Sequence, residues 1–114
     1  MDYILKNHAL NKWIIQRASA IVLIPLLLFF LYSLVDLVNQ DYAGALDAFD
    51  NYLSIIIFTL FLIFSGLHLK LGLNEIIEDY IQDERLKANL NKVIILYSAV
   101  LPIIGIISLI KIIL

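Results

Sequence analysis

The stretch that decides the fold is ASAIVLIPLLLFFLYSLV at residues 18–35, which carries no formal charge. A helix needs about 20 mainly apolar residues to cross a hydrocarbon core ~30 Å thick. The apolar pattern continues to Val38 with only Asp36 interrupting it, and comparable segments begin at Tyr52 and Val93. The sequence therefore predicts an all-α integral membrane protein. We expect a single membrane-anchor domain over residues 1–114, with three transmembrane helices approximately at residues 14–38, 52–77 and 92–114.

The composition agrees with a chain that lies in a bilayer. Of the 114 residues 62% are hydrophobic and the mean hydropathy is +0.95, whereas a soluble domain is about 45–50% apolar. The net charge of −2 is small and unclustered, so no nucleic acid partner is expected. The absence of cysteine excludes disulfides, iron–sulfur ligation and thiol catalysis by these residues. Because the predicted loops are too short for a separate catalytic domain, we expect the chain to be non-catalytic alone and to work with partners.

Basic residues are distributed unequally between the two ends of the predicted helices. Seven of the eight lie on the side that holds the N-terminus and the second loop, and the other side has only Lys111. The seven are Lys6, Lys12, Arg17, Lys70, Arg85, Lys87 and Lys92. Since cytoplasmic loops carry the excess of Lys and Arg, we expect a cytoplasmic N-terminus and a C-terminus outside.

A polar stripe crosses the end of the second predicted helix in the segment SGLHLKLGLNEIIEDY at residues 65–80. On a helix that advances about 100° per residue, the stripe consists of His68, Gly72, Glu75 and Asp79. Tyr80 lies about 120° round from His68 and ~18 Å further along the axis. An ionisable residue in a transmembrane segment is a functional hypothesis by default, and imidazole can ligate haem iron. The spacing leaves a second interpretation open, in which His68 hydrogen-bonds a neighbouring helix and Gly72 packs against one.

The pattern His68-x-x-x-Gly72 followed by Asp79-Tyr80 resembles the signature of the small hydrophobic membrane anchor of succinate dehydrogenase (respiratory complex II). The resemblance implies that His68 is an axial ligand of haem b and that Gly72 packs against the haem. It also implies that the second axial histidine comes from a sister cytochrome b anchor that shares the haem, and that an iron–sulfur subunit and a flavoprotein subunit complete the complex. The other histidine of the chain, His8, precedes the first apolar run and is expected in the cytosol.

Arg17 opens the first predicted helix in the segment QRASAI, which is similar to the R-[AT]-[ST]-A motif of the same family. The resemblance implies that Arg17 lies near the haem propionates, and a guanidinium pairs well with carboxylates. The alternative is a positive-inside anchor at the interface. Ser19 stands where the family often has Thr, and Lys70, between His68 and Gly72, is less expected.

Tyr80 and Asp79 are predicted just inside the cytoplasmic interface. The resemblance implies that the Tyr80 hydroxyl hydrogen-bonds a ubiquinone carbonyl, a bond that strengthens as the oxygen gains charge. Asp79 belongs to the same ubiquinone site and can help deliver protons. The alternative is that Tyr80 belongs to the interfacial aromatic belt.

These features predict the smaller anchor of succinate:ubiquinone oxidoreductase, a multi-pass protein of the bacterial cytoplasmic (inner) membrane in contact with membrane lipid. It would pass electrons from succinate oxidation to ubiquinone. Two alternatives remain open at this point. One is the membrane anchor of a quinol:fumarate reductase, and the other is a haem-free structural or assembly membrane protein.

Overall fold

The computed structural model describes residues 2–114 and consists of four helices joined by short connections. Within that range α1 comprises Asp2–Val38, α2 comprises Tyr42–Ala48, α3 comprises Tyr52–Tyr80 and α4 comprises Glu84–Ile113. Three of them, α1, α3 and α4, contain windows long and apolar enough to cross a membrane. The predicted fold class, all-α with three transmembrane helices, is therefore confirmed for the described residues.

The three long helices exceed the thickness of a bilayer core. At 1.5 Å per residue, the 29 residues of α3 extend about 44 Å, and the longest dimension of the molecule is 56 Å. A hydrocarbon core is only ~30 Å thick. The helices therefore continue into the polar regions, which explains why α1 begins twelve residues before the predicted start at residue 14 and why α4 begins at Glu84 instead of residue 92.

The connection between α1 and α3 contains a short helix that the sequence did not predict. Asp41 caps the seven-residue α2, because its Oδ1 accepts a 2.8 Å hydrogen bond from the Gly44 amide. Asn51 caps α3 in the same way, accepting from the amide of Leu53 at 3.0 Å. Side-chain caps of this kind satisfy amides that a helix start leaves unpaired.

The connection between α3 and α4 consists of residues 81–83. Asp83 caps α4 by accepting from the Arg85 amide at 3.1 Å. Lys87 of α4 reaches back to Glu78 of α3, with 3.8 Å between Nζ and Oε2. Most of the charged residues between the second and third predicted transmembrane helices, at positions 78–91, thus lie on the ends of two helices. This region is called here the charged end of the bundle.

The centre of the bundle is α3, which packs against α1 on one side and α4 on the other. Against α1 it uses aromatic rings: Phe61 stacks on Phe30 with centroids 4.6 Å apart, and Phe58 meets Phe30 edge-on at 6.0 Å. Against α4 it uses small residues. A Cβ at Gly66 would lie 2.6 Å from the Ser98 carbonyl oxygen, and one at Gly105 would lie 2.7 Å from the Leu62 side chain. Close approach at small residues is the usual means of helix association in a bilayer.

Little of the chain is buried. Among the described residues the buried hydrophobic side chains are Ile77, Ile94 and Leu109. Large apolar side chains are exposed along all three long helices. Such a surface suits lipid and further helices, since without a bilayer an apolar patch of this extent would be an interaction or aggregation site. The chain is a multi-pass membrane protein by length and composition of its helices.

The contact at Gly66 predicts the stability of a matched pair of variants. In Gly66→Ala the new methyl group meets backbone on α4, so we expect the free energy of unfolding of the full chain in detergent to fall by roughly 1–3 kcal/mol. Gly72→Ala is the control, because a Cβ there has no heavy atom within 4 Å and both variants gain the same helix propensity of about 1 kcal/mol. Equal stability of the two variants in a denaturant titration would contradict this packing.

Candidate functional site

His68 lies on the side of α3 that faces α1, where it contacts Ser19. Its Nδ1 atom is 3.0 Å from the Ser19 hydroxyl oxygen. Ser19 is 2% exposed, although the helix to which it belongs is largely exposed. A hydroxyl so deeply buried is costly unless it is hydrogen-bonded. The contact with His68 therefore joins α1 to α3 through two polar groups.

The hydroxyl of Ser19 makes a second hydrogen bond that fixes the direction of the first. Ser19 donates its proton to the carbonyl oxygen of Gln16, one turn earlier in α1, at 2.8 Å. A hydroxyl has a single proton, so both contacts are satisfied only when the Nδ1–H of His68 donates to the Ser19 oxygen. In that tautomer of the neutral ring, Nε2 holds the free lone pair.

A second polar contact between the same two helices lies nearer the charged end. The side-chain amide of Gln16 faces the carboxylate of Glu75, and the amide nitrogen lies 2.6 and 3.0 Å from its two oxygens in the orientation that satisfies both groups. Glu75 is on the stripe of α3 that contains His68. Gln16 thus accepts from Ser19 through its backbone and meets α3 through its side chain.

These contacts establish an antiparallel register between α1 and α3. Ser19 meets His68 and Gln16 meets Glu75, so residue numbers rise along one helix as they fall along the other. In this register Arg17 lies at about the level of Gly72. Arg17 is nevertheless about 200° round α1 from Ser19, on the exposed side, where its guanidinium carbon lies 5.5 Å from the centroid of the Trp13 ring. The contact has the geometry of a cation–π pair.

Gly72 has open space beside it. A Cβ built there would have no heavy atom within 4 Å, so Gly72 packs against no other helix of the described chain. The helix-packing role that the sequence allowed for Gly72 belongs instead to Gly66, which the sequence interpretation did not single out. An open, side-chain-free patch therefore lies one turn beyond His68.

Asp79 and Tyr80 end α3 and remain apart from the other predicted site residues. Tyr80 is 80% exposed and Asp79 is exposed as well. Neither side chain makes a hydrogen bond or an ion pair to another residue in the region the structure describes. The rise along α3 from His68 to Tyr80 is about 18 Å. The structure therefore brings His68 together with Ser19, Gln16 and Glu75, and leaves Arg17, Asp79 and Tyr80 facing outwards at the charged end.

His68 is the residue of this chain that could hold a haem iron. The Ser19 contact leaves Nε2 as the ring nitrogen with a free lone pair, and the open patch at Gly72 leaves room for a flat macrocycle beside α3. No group of three or more His, Cys, Asp or Glu side chains suited to a metal ion occurs among the described residues.

Clefts within the chain lie away from this position. One of about 520 Å³ is found where α2, the start of α3 and the end of α4 meet, and residues such as Phe49, Ile55 and Ile112 line it. Another of about 120 Å³ lies between α3 and α4 beside Gly66 and Ser98. Neither includes His68, so the site that His68 could form is an open face of the chain.

Ser19 and Gln16 are the site residues that sequence reasoning missed. In the sequence Ser19 stands out only as a variant of Thr in a motif, and Gln16 only as the residue before Arg17. A signal was available in the spacing, because Ser19 is two residues from Arg17 and must lie on a nearly opposite face of the helix. If Arg17 faces outwards, Ser19 faces inwards, although the partner helix cannot be named from that spacing.

Comparison with known proteins adds one finding. Residues 3–105 match the model of a protein family described as the succinate dehydrogenase/fumarate reductase transmembrane subunit. No curated protein and no solved structure matches the chain.

Proposed function

Because the chain belongs to the succinate dehydrogenase/fumarate reductase transmembrane subunit family, we propose that it is the smaller of the two membrane anchors of a succinate:ubiquinone oxidoreductase. Membership in the family means that the chain is a membrane subunit of a complex with other subunits. The partners we propose are a sister cytochrome b anchor, an iron–sulfur subunit and a flavoprotein subunit. The observation that carries the proposal is the contact of His68 with Ser19, which leaves Nε2 free to bind iron.

His68 is the proposed axial ligand of haem b from this chain. Its ring is half-buried and held by α1, as expected of a ligand whose other ring nitrogen is hydrogen-bonded. When bound, haem b supplies a one-electron redox centre within the membrane. Gly72 provides the adjoining surface without a side chain. The second axial histidine belongs to the sister anchor, because His8 lies on an exposed part of α1 more than two turns before Ser19.

Arg17 is the proposed partner of the haem propionates. It lies at about the level of Gly72, and its exposed guanidinium rests on Trp13. A guanidinium can bind a carboxylate through two parallel N–H donors. Both propionate binding and anchoring at the interface need a cation at this end of the bundle, and Arg17 faces outwards there.

Ubiquinone is proposed to bind at the charged end, beside Tyr80 and Asp79. Reduction adds two electrons and two protons to the quinone, and the electrons come from succinate through the partner subunits. The exposed Tyr80 hydroxyl can donate to a quinone carbonyl. Asp79, on the preceding position, can take a proton from interfacial water and release it towards the quinone. The remaining walls of this site would belong to the partner subunits.

The orientation we propose follows from the basic residues. The charged end of the bundle contains seven of the eight Lys and Arg residues, and by the positive-inside rule we assign it to the cytoplasmic side of a bacterial membrane. The C-terminus then lies outside the cytoplasmic membrane. In this orientation Tyr80 and Asp79 lie on the side where soluble subunits and cytoplasmic protons are available.

Haem content tests the assignment of His68. The complex is captured through a tag on this chain, and its reduced-minus-oxidised visible spectrum is recorded for the wild type, His68→Ala and His8→Ala. We expect low-spin b-type bands in the wild type and in His8→Ala, and loss of these bands in His68→Ala, because the latter lacks the iron ligand. Co-purification of the partner subunits shows that each complex has assembled. Full haem content in an assembled His68→Ala complex would overturn the assignment.

Quinone reduction tests the assignment of Tyr80. In Tyr80→Phe we expect succinate-dependent ubiquinone reduction to fall by roughly tenfold or more, since a hydrogen bond to a charged group contributes about 1.5–3 kcal/mol. Tyr52→Phe is the matched control, because Tyr52 is also 80% exposed but lies at the opposite end of α3. Succinate oxidation with a soluble electron acceptor should be unchanged in both variants. An equal quinone reductase rate in the two variants would place the quinone elsewhere.

A further inference from the structure

Ser19 is the most deeply buried side chain of the described part of the chain, and its burial is unexplained by helix packing alone. It is 2% exposed, while most of its neighbours along α1 are exposed. In a bilayer an apolar or small residue such as Ala would fill this contact without the cost of burying a hydroxyl. The hydroxyl is kept in place by two partners, the Gln16 carbonyl and the His68 ring.

The directions of the two Ser19 hydrogen bonds decide which ring nitrogen of His68 has the proton. Because the Ser19 proton is directed to the Gln16 carbonyl at 2.8 Å, the Ser19 oxygen presents its lone pairs to Nδ1 of His68 at 3.0 Å. An oxygen acceptor at Nδ1 stabilises the Nδ1–H tautomer. It also restrains rotation of the ring and increases the electron density at Nε2.

We propose that Ser19 is a positioning residue for His68, which holds the ring in the Nδ1–H tautomer and so presents Nε2 as a stronger ligand to the haem iron. The role as an iron ligand rests on the proposed function, whereas the tautomer is a property of this chain by itself. Gln16 supports the arrangement twice, because its carbonyl orients the Ser19 hydroxyl and its side chain ties α1 to Glu75 of α3. Because the Ser19 hydroxyl is neutral, it increases the electron density at Nε2 of His68 less than a carboxylate in its place would.

The tautomer can be tested without haem. The chain contains two histidines, so His8→Gln leaves His68 as the single imidazole, and ¹⁵N labelling of the full chain in detergent reports which ring nitrogen has the proton. With the ring neutral, we expect Nδ1 protonated and Nε2 unprotonated. Ser19→Thr keeps a hydroxyl and should keep this pattern. Ser19→Ala removes the acceptor and should move the proton towards Nε2, and an unchanged pattern in Ser19→Ala would overturn the proposal.

The effect on the haem is tested in the assembled complex by redox titration of the b-type bands. In Ser19→Ala a weaker Nε2 donor stabilises the ferric form less, so we expect the midpoint potential to shift upwards, while Ser19→Thr stays near the wild-type value. Loss of haem from Ser19→Ala with retention in Ser19→Thr would also support the proposal. An unchanged potential in Ser19→Ala, or an equal shift in both variants, would overturn it. A wild-type complex without b-type bands would instead overturn the proposed function, and the ¹⁵N result would still decide the tautomer.

Discussion

The hydrogen bond between Ser19 of α1 and His68 of α3 is the interaction on which the rest of the proposed site depends. Two apolar helices in a bilayer gain little from hydrophobic burial against each other, so polar pairs and close packing determine how they are rotated. The Ser19–His68 contact, the Gln16–Glu75 contact and the stacked rings of Phe30 and Phe61 all lie on the side of α3 that faces α1. In this arrangement Gly72, one turn from His68, has open space beside it.

The two sides of α3 make contacts of different kinds with their neighbouring helices. On the α4 side, Gly66 lies so close to Ser98 that no side chain fits. On the α1 side the contacts are aromatic towards one end and polar towards the charged end, where the Gln16 amide meets the Glu75 carboxylate. Both sides hold the bundle together. The α1 side also contains His68, the residue for which we propose haem ligation.

Hydropathy was sufficient to predict three membrane-spanning helices, because the apolar runs at residues 18–35 and after Tyr52 and Val93 have the length that a bilayer requires. It could not predict the helix ends, since helical hydrogen bonding continues beyond the apolar segments. As a result α3 ends only at Tyr80, and α4 already begins at Glu84. His68 stood out as an ionisable residue in an apolar run. Ser19 did not, because the contact that makes it important joins residues 49 positions apart, and a helical pattern within α1 does not identify the helix that it will face.

The proposed function depends most directly on whether Nε2 of His68 binds iron. The measurement is an electron–nuclear double resonance spectrum of the oxidised complex, assembled so that this chain alone has ¹⁵N-labelled histidine and His8 is replaced by Gln. If His68 is the ligand, the spectrum will show a strong ¹⁵N coupling, of the size given by a nitrogen bonded directly to low-spin iron. A spectrum in which every directly bonded nitrogen is ¹⁴N would contradict it, because His68 would then not be a ligand of the haem.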